Sequence, residues 1–208
     1  MTTEAMKMIA QAKVTKAEER LKEVRAFSSN IEDVFKAVTA AGPLEEVEKK
    51  KIQVLGLGTD QGLCGSINSG LARHTQAVLG EYTDADSVEL KAFGNRFLSN
   101  IASKEEVHGG ISAYQKNLSF RGNLALCDYL LEEIPDQRRI LFNRMVNMAS
   151  FVVEEVDLPG RSALEQAEMG VYETEGVNEV LEDFYDFHFA AQFWRLLSEV
   201  EVNWRFCC

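Results

Sequence analysis

The residues best placed to do chemistry lie in one glycine-rich segment, TDQGLCGSIN at positions 59–68. The segment follows an apolar run at 52–57 that predicts a buried strand, and it leads into a helical pattern that includes Leu71 and His74. Backbone amide groups at a strand-to-helix turn of this kind point towards anions, so a phosphate-binding loop is the first chemistry to consider.

The spacing of the glycines argues against a phosphate site in this turn. A dinucleotide fingerprint that begins with Gly56 and Gly58 needs a third glycine at the position occupied by Gln61. A Walker loop needs a lysine after its last glycine, but Gly65 is followed by Ser66. A tight turn with close helix packing is therefore the favoured interpretation, and no nucleotide cofactor is predicted.

No other group of reactive side chains predicts an active site or a metal site. The histidines are isolated along the chain and lack metal-ligand neighbours at helical spacing; they are His74, His108 and His188. Neighbouring acids such as Glu154 and Glu155 are typical of solvated faces or strand edges. The cysteines also lack metal-ligand spacing, and reduced intracellular thiols are their simplest interpretation. The sequence therefore predicts a non-catalytic chain without a cofactor or a metal.

Composition limits the size of the protein and the nature of its partners. A chain of 208 residues can bury one sizeable core together with an extended element, and its net charge of −11 disfavours nucleic acid as a partner. Residues 1–25 depart from this balance, with six lysines or arginines against four glutamates. They predict either a basic arm that meets an acidic surface or a solvated face held by ion pairs. No stretch reaches the roughly 18 uninterrupted apolar residues of a membrane span, and no signal or transit peptide is recognisable.

Both ends of the chain have the periodicity of a coiled coil. Apolar or small residues recur in alternating steps of four and three along an N-terminal helix, which Gly42 and Pro43 end. These positions are Ala10, Val14, Ala17, Leu21, Val24, Ser28, Ile31, Phe35 and Val38. The same steps recur near the C-terminus at Phe193, Leu197, Val200, Trp204 and Cys207. We therefore predict an antiparallel helical pair, and the length of its first member favours a projecting shaft over a hairpin packed on a sheet.

Between these helices, strand and helix patterns alternate. Strands are predicted at 52–58, 88–93, 139–146 and 150–156, and helices at 68–79, 95–103 and 121–134. This alternation favours a largely parallel sheet, with the last two strands as an antiparallel addition. The predicted fold class is α/β: a Rossmann-like central sheet covered by helices, plus an antiparallel coiled coil of N- and C-terminal helices.

Three segments of the chain resemble a known family. The run AMKMIAQAK at 5–13 is similar to Ala-Met-Lys-Met-Val-Ala-Ala-Ala-Lys, and the turn at 60–66 is similar to Asp-Arg-Gly-Leu-Cys-Gly-Gly. The run LFNR at 141–144, followed by MASF at 148–151, resembles a strand pair of mitochondrial members. On these segments the sequence resembles the gamma subunit of F-type ATP synthases, over most of residues 3–200.

The resemblance implies a non-catalytic central-stalk subunit, a rotor that transmits rotation from a membrane ring of c subunits to the catalytic hexamer. The implied partners are the alpha and beta subunits, other central-stalk subunits and the c ring, without nucleic acid and without a membrane span of its own. The implied location is the matrix side of the mitochondrial inner membrane, or the inner membrane of a bacterium. Two alternatives remain open, a non-catalytic coiled-coil adaptor and a dinucleotide-binding α/β protein.

The resemblance also implies which residues contact partners. Matching positions in the family meet acidic loops of the beta subunits, and they correspond here to Met6, Lys7, Lys13, Gly62, Cys64 and Gly65. Simple packing is an equal alternative for Met6 and Cys64. The implied domains are an N-terminal helix at 1–42, a central domain at 43–176 and the start of a C-terminal helix at 177–208. Compared with the family, we expect the first helical turns and the long C-terminal helix to be missing.

Overall fold

The computed structural model of the chain describes residues 2–39, 51–61, 66–83, 85, 87–147, 150–161 and 177–207. Its helices are α1 (Thr2–Thr39), α2 (Ile67–Leu79), α3 (Asn95–Ile101), α4 (Phe120–Leu131) and α5 (Val177–Cys207), with a 3-10 turn at Tyr114–Asn117. Its strands are β1 (Lys51–Leu57), β2 (Ser87–Phe93), β3 (Gly109–Ile111), β4 (Gln137–Asn147) and β5 (Ser150–Pro159). The alternation of strands and helices between the two terminal helices is thus as predicted.

The strands form one five-stranded sheet in the order β3-β2-β1-β4-β5. β1 pairs in parallel with both β2 and β4, and β2 pairs in parallel with β3, whereas β4 and β5 are antiparallel. The prediction that the last two strands form an antiparallel addition is therefore wrong for β4. Because α4 lies in the crossover that leads from β3 to β4, β4 can return parallel to β1. β5 follows β4 almost directly, and so short a connection allows only the antiparallel direction.

Helices cover both faces of the sheet. On one face α2 and α3 pack on Ile52 and Val54 of β1 and on Leu141 of β4. On the other face α4 and α5 pack on Leu55 and Leu57 of β1. Successive side chains of a strand point to opposite faces, so a sheet covered twice needs apolar residues at both. This is why β1 is a continuous buried run after its first residue.

The approach of α3 to the sheet depends on a glycine in β1. A Cβ atom on Gly56 would overlap the ring of Phe97, whose side chain is fully buried. Gly56 is one of the glycines that a dinucleotide fingerprint would have used. At this position the glycine has a packing role instead.

Several predicted limits are off by a few residues: α3 ends at Ile101 and not at 103, and β5 ends at Pro159 and not at 156. α4 begins after Ser119, whose hydroxyl accepts a hydrogen bond from the Gly122 amide at 3.1 Å, and it ends at Leu131 rather than near position 134. Pro135 lies just beyond and disfavours helical geometry in the residue before it. β3 was not predicted, because a three-residue strand with two glycines has no strand-like pattern. Among the helices of the described ranges, none combines the length and the apolar character needed to cross a bilayer.

Candidate functional site

The most distinctive feature of the fold is the pairing of α1 with α5. Glu32 of α1 contacts His188 of α5, and Arg20 contacts Glu201. Residue numbers therefore fall along α1 as they rise along α5, which makes the two helices antiparallel, as predicted. We call the paired part, residues 17–35 of α1 together with α5, the helical pair.

The heptad positions of α1 form the seam of this pair from residue 17 onward. The buried seam residues of α1 are Ala17, Leu21, Val24, Ser28, Ile31 and Phe35. The heptad prediction is confirmed at these positions, but Ala10 is exposed and Val14 only half-buried. The predicted seam is thus wrong for its first turns, because no described side chain of α5 covers them. The side chains of Val38 and Cys207 lie outside the described residues.

α5 lies between α1 and the sheet, and this position explains its burial. Phe193 meets Phe93 of β2 edge-to-face, with ring centroids 5.6 Å apart. On another side of the helix, the Gln192 amide donates to the backbone oxygen of Ser28 in α1 at 3.1 Å. Asn123 of α4 donates to the backbone oxygen of Ala190 at 3.0 Å. The helical pair is therefore packed on the sheet through α5, which fixes its orientation relative to the central domain.

Ion pairs within the helical pair set its register. Arg25 donates two parallel hydrogen bonds to Glu199, at 2.7 and 2.8 Å. Arg20 donates to Glu201 at 2.9 Å. Both glutamates are buried, at 5% and 2% exposure, whereas the arginines reach solvent. A buried carboxylate needs a partner to offset its desolvation. A shift of one helix along the other would separate Glu199 from Arg25 and Glu201 from Arg20, leaving Glu201 only Arg205 of its own helix.

A buried histidine of α5 contacts α1 near the end of the pair that holds Phe35. His188 is 2% exposed, its ring stacks on Phe35 with centroids 3.8 Å apart, and its Nε2 lies 2.7 Å from Oε2 of Glu32. Burial lowers the pKa of His188, although the hydrogen bond and charge of Glu32 act in the opposite direction. Burial also opposes ionisation of Glu32, but contacts with His188 and Lys36 outweigh it and lower the pKa of that carboxyl. The pair is thus built to hold a neutral imidazole that donates to a carboxylate.

The N-terminal turns of α1, residues 4–16, have a different environment. Lys7 and Lys13 are exposed, and neither forms an ion pair with any residue that the structure describes. Met8 and Ile9 are 71% and 57% exposed. Basic and apolar groups are therefore both available for an external partner on this stretch. Met6 belongs to α1, but its side chain lies outside the described residues.

The predicted contact residues of the glycine-rich turn, Gly62, Cys64 and Gly65, lie outside the described residues. The two stems of the turn are held together: the Thr59 amide donates to Oδ1 of Asn68 at 2.9 Å, and the Asn68 amide group donates back to Thr59 Oγ1 at 2.7 Å. The first stem is also anchored to the start of α3 and to the loop after β3, because Oδ1 of Asp60 accepts from the backbone amides of Asn95 and Ala113.

Sequence reasoning missed the charged residues of the helical pair. The predicted α5 seam is wrong, because Phe193, Leu197 and Val200 pack in the core against the sheet and not on α1. Glu199 and Glu201 flank this apolar stripe, at positions that the sequence pattern assigns to solvent. Their burial comes from α5 lying between two layers. One available signal was the presence of Arg20 and Arg25 on α1. In an antiparallel pairing these two arginines lie opposite the two acids.

These features define a class of protein, an α/β domain that holds an antiparallel helical pair with a basic, uncovered N-terminal extension. A model of the ATP synthase family matches residues 1–202 of the chain. The ATP synthase gamma chain of Bordetella pertussis is 32% identical over 158 residues, which are 70% of this chain and 52% of that protein. The gamma chain of Cupriavidus pinatubonensis is 29% identical over 112 residues, 49% of this chain and 38% of that protein. The chain belongs to the ATP synthase gamma family, and it spans about half the length of the curated relatives it matches.

Solved structures share the fold. The central stalk and c ring of the Tetrahymena thermophila mitochondrial ATP synthase include a chain with a TM-score of 0.79 and 20% identity, with 100% of this chain and 96% of that chain covered. A chain of the Euglena gracilis mitochondrial ATP synthase has a TM-score of 0.60 and 16% identity, with 94% of this chain and 78% of that chain covered. These likenesses confirm the predicted fold class, including the packing of the terminal helices.

Proposed function

We propose that the chain is a central-stalk subunit of a proton-translocating F-type ATP synthase, a rotor that transmits rotation from the membrane ring to the catalytic hexamer. The observation that carries this proposal is the helical pair. In a chain of the gamma family, its buried ion pairs and its packing on the sheet make one stiff unit of the pair and the central domain. A unit that transmits torque needs this stiffness, because slippage between its helices would dissipate the rotation.

In this function the chain performs no chemistry itself. The catalytic residues belong to the partners, and the rotor acts by contacting each catalytic subunit differently as it turns. Such differential contacts shift the populations of the partner's conformations, and with them the affinity for nucleotide. The proposed partners are the alpha and beta subunits, other central-stalk subunits and the ring of c subunits. The proposed location is the matrix side of the mitochondrial inner membrane, with the bacterial inner membrane as the alternative.

The proposed contacts with the beta subunits are the residues inferred from the family resemblance: Met6, Lys7, Lys13, Gly62, Cys64 and Gly65. Exposure and the absence of internal ion pairs support Lys7 and Lys13 within the described residues. A lysine with no internal carboxylate can pair with an acidic loop without breaking a contact of its own. Lys7 is the better candidate of the two, because Lys13 also lines a cavity between the helices.

The proposal is tested by combining the full chain with purified alpha and beta subunits and imaging the assemblies by negative stain. We expect hexamers with density in the central cavity. Empty hexamers under conditions that assemble alpha and beta would overturn the proposal for this chain. A generic coiled-coil adaptor would instead form a dimer with no preference for these subunits, which size-exclusion chromatography with light scattering detects. A dinucleotide-binding protein would show saturable binding of a nicotinamide or flavin dinucleotide by the isolated chain.

A further inference from the structure

A basic cavity lies where the N-terminal turns of α1 meet the last turns of α5. Its volume is about 230 Å³, and it is lined by Lys13, Lys16, Ala17, Arg20, Glu201 and Arg205. Four of these side chains are cations, and only one is an acid. The excess of positive charge is local, since the chain as a whole carries a net charge of −11. The cavity is therefore a locally basic site on an acidic protein.

The single acid of the cavity holds two of the cations in position. Oε2 of Glu201 accepts from Nη1 of Arg20 at 2.9 Å. Oε1 of Glu201 accepts from Nε and Nη2 of Arg205 at 2.9 and 2.6 Å. A guanidinium has five N–H groups in a rigid fork, so each arginine keeps donors that Glu201 does not use. Because the arginines come from different helices, the buried carboxylate presets a two-sided cationic site.

The two lysines supply charge that no internal acid neutralises. Lys13 and Lys16 are exposed, and among the described residues neither has an ion-pair partner. They lie on the same face of α1 as Arg20, since residues three, four and seven apart are neighbours on a helix. Holding several like charges together raises their mutual repulsion, and an anion between them would relieve it.

We propose that this cavity binds a phosphate group, with Arg20 and Arg205 donating to its oxygens and Lys13 and Lys16 supplying the remaining positive charge. Guanidinium forks match the geometry of phosphate oxygens and form short, charge-assisted hydrogen bonds with them. Free oligophosphate and the phosphates of a nucleotide share this chemistry. The site is separate from the glycine-rich turn, and it does not depend on the rotor function.

The test is isothermal titration calorimetry of the full chain with inorganic pyrophosphate at constant ionic strength. We expect saturable binding of one pyrophosphate per chain. The deciding variant is Lys16→Gln, because Lys16 has no ion pair among the described residues. Its loss removes one of the four positive charges of the cavity and should weaken binding about tenfold. Lys22→Gln is the matched control, since Lys22 is an exposed lysine of α1 that does not line the cavity, and it should leave the affinity unchanged.

Parallel titrations with ADP and with adenosine identify the source of the phosphate. Binding of ADP at least as tight as that of pyrophosphate, without binding of adenosine, supports a nucleotide phosphate, whereas tighter pyrophosphate binding supports a free oligophosphate. Heat that does not saturate, or equal losses in Lys16→Gln and Lys22→Gln, would show a non-specific charge effect and overturn the proposal. Binding of adenosine alone would also overturn it, because the cavity would then recognise the base and not the phosphate.

Discussion

Two stretches of the same helix have opposite environments in this molecule. Residues 4–16 of α1 are exposed apart from the half-buried Val14, among the positions whose side chains are described. Residues 17–35 bury a residue at every step of three or four, against α5. Both stretches have a heptad-like pattern in the sequence, so the pattern alone does not decide which one is buried. What decides it is whether a partner helix lies opposite.

From this difference we expect separate roles for the two stretches. The buried stretch anchors α1 to the sheet by way of α5, and its ion pairs fix the register. The uncovered stretch has exposed apolar side chains, together with lysines that form no ion pair among the described residues, and an external contact surface would use both. Substitutions in the first should change stability, and substitutions in the second should change association with partners.

The largest expected effect comes from the apolar seam. Leu21→Ala removes a side chain that is 5% exposed and leaves a cavity, so it should reduce the free energy of unfolding by about 2–5 kcal/mol. The matched change in the uncovered stretch, Ile9→Ala, should stay within about 0.5 kcal/mol. Urea denaturation followed by circular dichroism measures both. Equal losses in the two variants would mean that residues 4–16 are packed in solution, and the comparison would fail.

A smaller effect is expected at the buried ion pair between the helices. Glu201→Gln keeps the size of the side chain but removes the charge that faces Arg20 and Arg205, and should cost about 1–3 kcal/mol. The control is Glu19→Gln, an exposed acid on α1 that should change little. A double-mutant cycle of Glu201→Gln with Arg20→Gln isolates the pairwise contribution. A coupling energy near zero would show that this pair does not set the register.

The pH dependence of the free energy of unfolding should depend on the buried, neutral His188 of the helical pair. The pKa of His188 is lowered in the folded protein, so the unfolded chain binds more protons once the pH falls below about 6.5, the ordinary pKa of histidine. Stability should therefore decrease as the pH is lowered from 7.5 through 6.5 towards the folded pKa. His188→Gln should flatten this dependence in urea titrations at several pH values. An unchanged slope in the variant would mean that the proton is taken up elsewhere.

Much of the architecture was predictable from the sequence because it depends on local periodicity. The alternation of strands and helices, the α1 seam from Ala17 to Phe35 and the antiparallel direction of the helical pair all follow from steps of two, three or four residues. The direction of β4 was not predictable in this way, since it depends on the path of α4 between β3 and β4. The residues of a strand do not by themselves determine which strand it will pair with, or in which direction.

The site was less predictable than the fold for a similar reason. Glutamate is a residue type typical of protein surfaces, so the sequence does not indicate that Glu199 and Glu201 are buried. Their burial results from the position of α5 between α1 and the sheet. The start of the seam at Ala17 depends on where α5 lies, which no pattern in α1 specifies. The domain limits at 42 and 176 and the six contact residues remain predictions, because they concern partners or positions that the isolated fold does not test.

The smallest expected effect on stability is also the one that tests the uncovered stretch most directly. Lys7→Glu replaces an exposed cation that has no ion pair among the described residues, so the free energy of unfolding should change by no more than about 0.5 kcal/mol. If Lys7 faces acidic loops of a partner, the reversed charge should repel them, weakening association with the alpha and beta subunits and lowering the ratio of ATP made to protons passed.

Lys22→Glu serves as the matched control for this last experiment, because it makes the same charge reversal on an exposed lysine of α1 within the anchored stretch. Both variants lower the net charge equally, so a general electrostatic effect would weaken association in both. A loss of coupling in Lys7→Glu alone would locate the partner surface on the first turns of the helix. An unchanged ratio of ATP to protons in Lys7→Glu would remove Lys7 from the contact, and the uncovered stretch would then need another explanation for its exposed apolar side chains.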